Sequence, residues 1–401
     1  MGMTLWLRDI TQAYTQADDH LQRTIIADLP TQLRDAYPKG TIMVVVKPLY
    51  GIAEAGAYWW STYFKHHTTT LGMETSTYDP CLLITKPTAL GFGIVGMQTD
   101  DTLGLSDDVF ANKESKELRF SAKEKQFLTT NNPIDFNGCV VSLTTDGVIT
   151  LRQKKQASFD LAAAAQASEP TKEEISKLNK RIEWQKKNLC HGLTYVPLDI
   201  RNLKLFTLVD ASFANNKDMS SQMGFVIVLG NEVTSSDTNF GIRGNIVHWS
   251  SVKCKRITRS VLASEIYAMA HGVDIAVAIG GTIDMVMERL NLPKVPIVVC
   301  TDSRSLYDCL VKLGTTKEKR LMIDIMAMRE AYERSELMDI RWIDGRDNPA
   351  DSMTKAGCNA AIENLINSNE LNLRVQGWVN RDRNTKPTTE STELSNLEGT
   401  K

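Results

Sequence analysis

The sequence is poor in the features that would assign it to several common classes. Its seven cysteines, at positions 81, 139, 190, 254, 300, 309 and 358, form no CxxC pair and no regular framework. That argues against a disulfide scaffold or a zinc site and fits free thiols in a reducing compartment. No run approaches the roughly 18 apolar residues of a membrane span, so no membrane partner is expected. Met1 to Asp9 lacks the basic-then-apolar order of a signal peptide. Internal repeats are missing, and so is an excess of either charge: the formal net charge is −2. A nucleic-acid enzyme usually presents a basic face, so composition alone does not point to one.

What is present is enough apolar residue, 42% of 401, to bury two or three cores. Residues 1–156 mix short strand-like runs (Ile42–Val46, Leu82–Ile84, Phe92–Met97, Gly147–Leu151) with a helical stretch at Ala53–His67. Residues 157–202 read as a charged helical connector, with Thr171 placed to cap a helix running to Lys187. Its charges fit a solvated face. Residues 203–358 have the order βββ, α, β, α, α, β, α: strands at Leu205–Val209, Gly224–Leu229 and Asn245–Ser250, then a helix from Ser260 to about Ala278. A buried-type strand, Val295–Cys300, follows, with helices after it and at Lys317–Ser335. Met338–Ile343 is the fifth strand, and a last helix begins at Pro349. The pattern predicts an α+β or α/β unit with a mixed five-stranded sheet flanked by helices. Residues 359–401 read as an extension that is disordered from about residue 380.

Four acids stand at telling points of that order. Asp210 closes the first strand, Glu265 lies one turn into the first helix, Asp302 follows the fourth strand, and Asp351 starts the last helix. Any one alone reads as an ordinary turn or helix-start acid. Together, at strand ends and helix starts, they can converge on one sheet edge, where four carboxylates would repel one another without divalent cations. Oxygen ligands of this kind suit Mg²⁺ or Mn²⁺. Two such ions can activate water and stabilise the leaving oxygen of a phosphodiester displacement. A second constellation is Asp9, five residues before Tyr14, with Asp100 and Asp101 between two strand-like runs. An Asp-Asp pair at a hairpin tip with a third acid on a neighbouring strand fits a two-metal site for nucleotidyl transfer. Lys253, Lys255 and Arg256, just before the first helix, read either as nucleic-acid backbone contacts or as a solvated loop.

The motifs carry a resemblance. Val209-Asp-Ala-Ser-Phe-Ala, Gly224-Phe-Val-Ile, Ile246-Val-His-Trp-Ser-Ser-Val-Lys, Arg259-Ser-Val-Leu-Ala-Ser-Glu-Ile-Tyr-Ala, Thr301-Asp-Ser and Asn348-Pro-Ala-Asp-Ser-Met-Thr-Lys resemble the ribonuclease H of Ty1/copia-type retrotransposons over roughly 150 residues. The resemblance implies that Asp210, Glu265, Asp302 and Asp351 bind two Mg²⁺ or Mn²⁺ ions and cut the RNA strand of an RNA–DNA hybrid. No histidine follows His271, so the histidine that assists product release in cellular members has no counterpart near Asp351. Upstream, Leu49-Tyr-Gly-Ile-Ala-Glu-Ala-Gly-Ala-Tyr-Trp-Trp is similar to the Leu-Tyr-Gly-Leu-Lys-Gln-Ala-Pro-Arg-Ala-Trp signature of the same family's reverse transcriptases. Trp59 and Trp60 read as core packing of an amphipathic helix. Asn137 to Leu143 and Gly147 to Leu151 resemble the strands after the palm, near the primer grip.

In a partial palm of that kind Asp9, Asp100 and Asp101 would hold the polymerase metals and Tyr14 would gate the sugar 2′-hydroxyl. Departures from the family are visible. Gln98 stands where Tyr-Val-Asp-Asp has its aromatic, Gly56-Ala57 replaces Pro-Arg, and only eight residues precede Asp9 where the family has a fingers segment. The expectation is a truncated element with an impaired polymerase. Its partners would be RNA–DNA hybrid and template-primer, with a homodimer or absent polyprotein segments besides. Its setting would be a cytoplasmic virus-like particle or the nucleus. Two other readings stand beside it. One is a remnant that binds nucleic acid without turnover; the other is an unrelated nuclease or transposase on the same fold, which the N-terminal resemblance opposes.

Overall fold

The computed structural model describes residues 2–153, 171–188, 192–216, 218–236, 238–312, 316, 318–355 and 357–379. Residues 157–170 of the expected helical connector and the expected disorder from residue 380 lie outside them.

In the first half, strands β1 (Thr4–Asp9), β2 (Ile25–Asp28), β3 (Ile42–Val45), β4 (Met73–Thr75), β5 (Leu82–Thr85), β6 (Gly93–Gln98), β7 (Asp101–Ser106) and β8 (Gln126–Phe127) alternate with helices α1 (Ala55–Lys65) and α2 (Asp108–Glu117). Six of them pair antiparallel in the order β4-β5-β6-β7-β1-β8, and β2 and β3 form a separate ribbon. Alternate side chains of β1 and β6, with α1 and α2, build one core around Trp6, Trp59, Tyr63, Met73, Val95 and Phe110. Trp59 is fully buried there, whereas Trp60 remains 40% exposed and stacks on Phe64. Strands β9 (Ile134–Phe136), β10 (Cys139–Leu143) and β11 (Ile149–Gln153) follow, then helix α3 (Lys172–Lys187) and β12 (Gly192–Tyr195). Within the connector expected over 157–202, the helix to Lys187 is followed by a strand, β12, which pairs with β11.

The second half contains β13 (Leu203–Ser212), β14 (Gln222–Ser236), β15 (Asn239–Lys253), α4 (Val261–Arg289), β16 (Ile297–Thr301), α5 (Arg304–Val311), α6 (Met322–Glu333), β17 (Leu337–Ile343), α7 (Asp351–Thr354), α8 (Ala360–Ser368) and β18 (Glu370–Gly377). β13 pairs antiparallel with β14 and parallel with β16, and is buried on both faces. Leu205 and Val209 face α4, while Phe206 and Leu208 face the opposite layer. That is why the strand reads as a near-continuous apolar run.

The expected count of five strands is corrected to six. β18 pairs with β15 on one side and β17 on the other, closing the sheet in the order β13-β14-β15-β18-β17-β16. Asn369, in the left-handed region at φ 58°, ends α8 and turns the chain straight into β18. Its side-chain amide donates to Thr194 O at 2.7 Å and Gly244 O at 3.1 Å. Alternate residues Leu371 and Leu373 then fill the second core beside α8. Residues 360–377, set apart in sequence as an extension, are therefore built into the sheet.

Ser260 caps α4 by accepting from Ala263 N at 3.2 Å. Among the described helices α4 alone has the length and hydropathy to cross a membrane, yet its inner face is buried on β13 and β14. Its C-terminal part reaches the first half. Thr77 Oγ1 donates to Ala278 O at 2.7 Å, and Arg289 Nε donates to Thr85 O at 2.8 Å. Arg289 also pairs with Glu74. The six described cysteines, Cys190 lying outside, carry free thiols.

If β18 is a working part of this core, Leu371→Ala should lower unfolding stability by about 3 kcal/mol, as for other buried leucines. Chemical denaturation reads it, and an unchanged midpoint would mean that the strand contributes nothing to the fold.

Candidate active sites

Parallel pairing of β13 with β16 sets Val209 opposite Thr301. The next residues, Asp210 and Asp302, therefore emerge side by side at the same sheet edge. α4 packs across β13 and β14, and its second turn brings Glu265 over them. One carboxylate oxygen from each of Asp210, Glu265 and Asp302 lies within 4.8 Å of the others, the one such group of three among the described residues. Asp210 and Glu265 are buried. Burial, reinforced by the Asp210 and Asp302 charges, pushes Glu265 up to about 9. Burial and the Asp210 charge push Asp302 up to about 6. Asp210 is raised as well, burial again being the largest cause and a Thr354 hydrogen bond opposing it. Glu265 Oε2 is buried with no hydrogen-bond partner. Two buried acids and a half-buried third, each pushed towards its protonated form mainly by burial and one with an orphaned oxygen, are a donor set suited to a hard divalent cation.

The fourth acid stands slightly apart. Asp351 opens α7, and its Oδ1 pairs with Lys355 one turn later. It does not join the close group of three. It does line a cavity of about 410 Å³ with Asp302, Gly345, Arg346, Lys355 and Asn359, so it faces the same mouth. Asn348 anchors the approach to α7, donating from Nδ2 to Val209 O at 2.8 Å while its Oδ1 accepts from Ala350 N at 3.1 Å. Sequence reading passed over Lys355 and Arg346; the i, i+4 spacing of Asp351 and Lys355 on one helical face was the available signal for the first. Of the basic residues singled out before α4, Lys253 pairs with Asp218. Arg256 lies 5.0 Å over the Tyr267 ring and 3.9 Å from Asp324, and Lys255 is exposed.

In the first half, Asp9 ends β1 directly opposite Asp101 at the start of β7. Asp100 occupies the β6–β7 turn with Thr99, whose φ of 53° is uncommon for a β-branched residue. Trp59 Nε1 donates to Thr99 O at 2.6 Å and ties α1 to this turn. Burial first, then the Asp100 and Asp9 charges, push Asp101 up to about 6. Other groups hold its neighbours: Lys123 Nζ is 2.5 Å from Asp9 Oδ2, and Tyr50 Oη is 3.5 Å from Asp100 Oδ2. The Tyr14 ring packs on Tyr50 at 4.4 Å. Tyr14 also lines a cavity of about 250 Å³ with Trp59, Trp60, Tyr63, Met97 and Gln98.

No protein-family model matches the chain, and no curated protein matches it. Among solved structures it is similar to ribonuclease H1 of the archaeon Halobacterium salinarum, at 18% identity and a TM-score of 0.26, over 40% of this chain and 98% of that one. LC11-RNase H1 in complex with an RNA/DNA hybrid is similar at 17% identity and a TM-score of 0.25, over 38% of this chain and 92% of that one. A foamy viral protease-reverse transcriptase in complex with double-stranded DNA is similar at 9% identity and a TM-score of 0.21, over 81% of this chain and 66% of that one. At these scores the likenesses carry no functional weight.

The raised Glu265 makes the metal-free protein pH-sensitive. An acid whose folded pKa is about 9, against an ordinary value of 4.5, costs stability as pH rises from 4.5 towards 9. Glu265→Gln should therefore stabilise the protein in chelator at pH 8, by on the order of 2–4 kcal/mol, and change little at pH 4.5. Melting curves at the two pH values check this; equal effects at both would show that Glu265 is not held protonated.

Proposed function

We propose that the second half is a ribonuclease H of the Ty1/copia retrotransposon type, which hydrolyses the RNA strand of an RNA–DNA hybrid with Asp210, Glu265, Asp302 and Asp351. The observation that carries the proposal is the group of Asp210, Glu265 and Asp302, two of them buried and the third half-buried, with ligand atoms within 4.8 Å of one another. Asp351 and the 410 Å³ cavity open it on one side. Two Mg²⁺ or Mn²⁺ ions bound there would supply an activated water and a stabilised leaving oxygen for phosphodiester hydrolysis. The chain's own part is to orient and charge the site. Asp210 and Asp302 are presented on paired strands, Glu265 is held over them by a capped helix, and Asp351 is brought to the mouth by α7. The hybrid would be recognised through backbone shape and 2′-hydroxyls and cut to leave a 3′-hydroxyl and a 5′-phosphate.

The first half we read as a partial reverse-transcriptase palm with impaired polymerase activity. Gln98 and Gly56-Ala57 depart from the family pattern, and Asp9 and Asp100 are engaged by Lys123 and Tyr50. The remnant reading, binding without turnover, is favoured for this half by those contacts; for the nuclease half the gathered acids oppose it.

The test is incubation of the whole chain with an end-labelled RNA–DNA hybrid in Mg²⁺ or Mn²⁺, beside Asp210→Asn. Cleavage confined to the RNA strand and lost in the variant is expected; folded protein that cuts in neither metal would refute the nuclease. On a primed template the same preparation should extend the primer far more slowly than it cuts hybrid. Robust extension that disappears in Asp101→Asn would overturn the impaired-polymerase reading.

A further inference from the structure

Asp210 faces Gly224 across the β13–β14 ladder, and α7 is seated on that glycine. A Cβ at Gly224 would lie 2.5 Å from Met353 Cβ, 2.8 Å from Thr354 Cγ2 and 3.2 Å from Ala350 O. Any side chain there would lift the helical turn off the sheet. The close approach delivers Thr354, which is 4% exposed, to the acid cluster. Its hydroxyl donates to Asp210 Oδ2 and lies 3.2 Å from the Asp351 carbonyl oxygen.

The turn is fastened on every side. Asn215 Nδ2 donates to Thr354 O at 2.9 Å, Ser251 Oγ donates to Met353 O, and Ser352 Oγ accepts from Asn359 N at 2.8 Å. Of the three clustered acids, Asp210 alone receives a side-chain hydrogen bond.

Resting on the nuclease reading above, we propose that Thr354 is a positioning residue for Asp210, its hydroxyl fixing the carboxylate plane in the orientation that receives the divalent cation. A carboxylate on a short side chain has a broad torsional well at its last bond. A hydrogen bond to one oxygen selects one orientation and keeps that oxygen partnered in the buried site. Outer groups of this kind set the direction of a ligand, and their loss weakens metal binding by about 10–100-fold. Thr354 also couples two of the four acids, because the turn that carries its hydroxyl to Asp210 begins at Asp351.

The test uses the whole chain without nucleic acid, with Mn²⁺ binding followed by electron paramagnetic resonance and melting temperature measured in chelator. Thr354→Val keeps the shape and removes the hydroxyl; Thr354→Ser keeps the hydroxyl and removes a methyl. The valine variant is expected to bind Mn²⁺ at least about 10-fold more weakly than wild type, with a melting temperature close to it. The serine variant is expected to recover the affinity. Wild-type affinity in the valine variant, or a serine variant as weak as valine, would overturn the proposal. So would a serine variant that folds while the valine variant does not, because Thr354 would then be structural. Wild-type protein that binds no Mn²⁺ would instead bring down the nuclease reading itself, and this proposal with it.

Discussion

Like charges held together in a place with little water are the constraint on which the second half turns. At an effective dielectric near 20, two carboxylates a few ångströms apart repel by several kcal/mol, and three do so pairwise. The protein meets that cost with rigid pieces. Asp210 stands on β13 among seven consecutive buried residues, Asp302 directly follows the five buried residues of the neighbouring parallel strand β16, and Glu265 stands on a 29-residue helix packed on the same sheet. None of the three can swing away without dismantling a core of leucine, isoleucine and valine. Without a cation the tension is relieved by keeping protons, which is what the raised pKa values of Glu265 and Asp302 express.

Much of this arrangement was legible in sequence, because strand ends and helix starts are local facts. Leu205–Val209 announces a strand buried on both faces, and Ser260 with its 3.6-residue apolar period announces α4, so the positions of Asp210 and Glu265 followed. Non-local facts stayed hidden. Leu371, Leu373 and Val375 alternate as a strand should, but nothing nearby says that β15 and β17 both lack a neighbour for them to fill. α4 continues eleven residues past the expected end at Ala278, through Gly280-Gly281, a pair that propensity alone reads as a stop. The reason is packing: a Cβ on Gly281 would come within 2.9 Å of Thr77 Oγ1, a residue two hundred positions away. The pairing of Lys253 with Asp218 likewise depends on which way a loop folds, so the basic residues nearest the motif were no guide to their partners.

The first half shows the opposite relation between motif and chemistry. Its three acids are where the motifs put them, Asp9 opposite Asp101 across two strands and Asp100 in the turn. Their contacts are of the same kinds as in the second site: Lys123 sits on Asp9 as Lys355 sits on Asp351, and Tyr50 approaches Asp100 where Thr354 donates to Asp210. What separates the two sites is distance: ligand oxygens of Asp210, Glu265 and Asp302 gather within 4.8 Å, and Asp9, Asp100 and Asp101 form no such group among the described residues, although both sites were recognised by the same rule.

Helix α4 has one further consequence. Glu265 lies in its first turns and Arg289 is its last residue, 24 positions on, which at 1.5 Å per residue is about 36 Å of nearly straight rod. One end carries Glu265 of the acid cluster; the other is clamped to Thr85 and Glu74 on the β4–β5 hairpin of the first half. A helix with those two attachments joins the hairpin and the acid cluster through one continuous element. Freeing Arg289 from Thr85 and Glu74 would loosen the same helix that holds Glu265 in place.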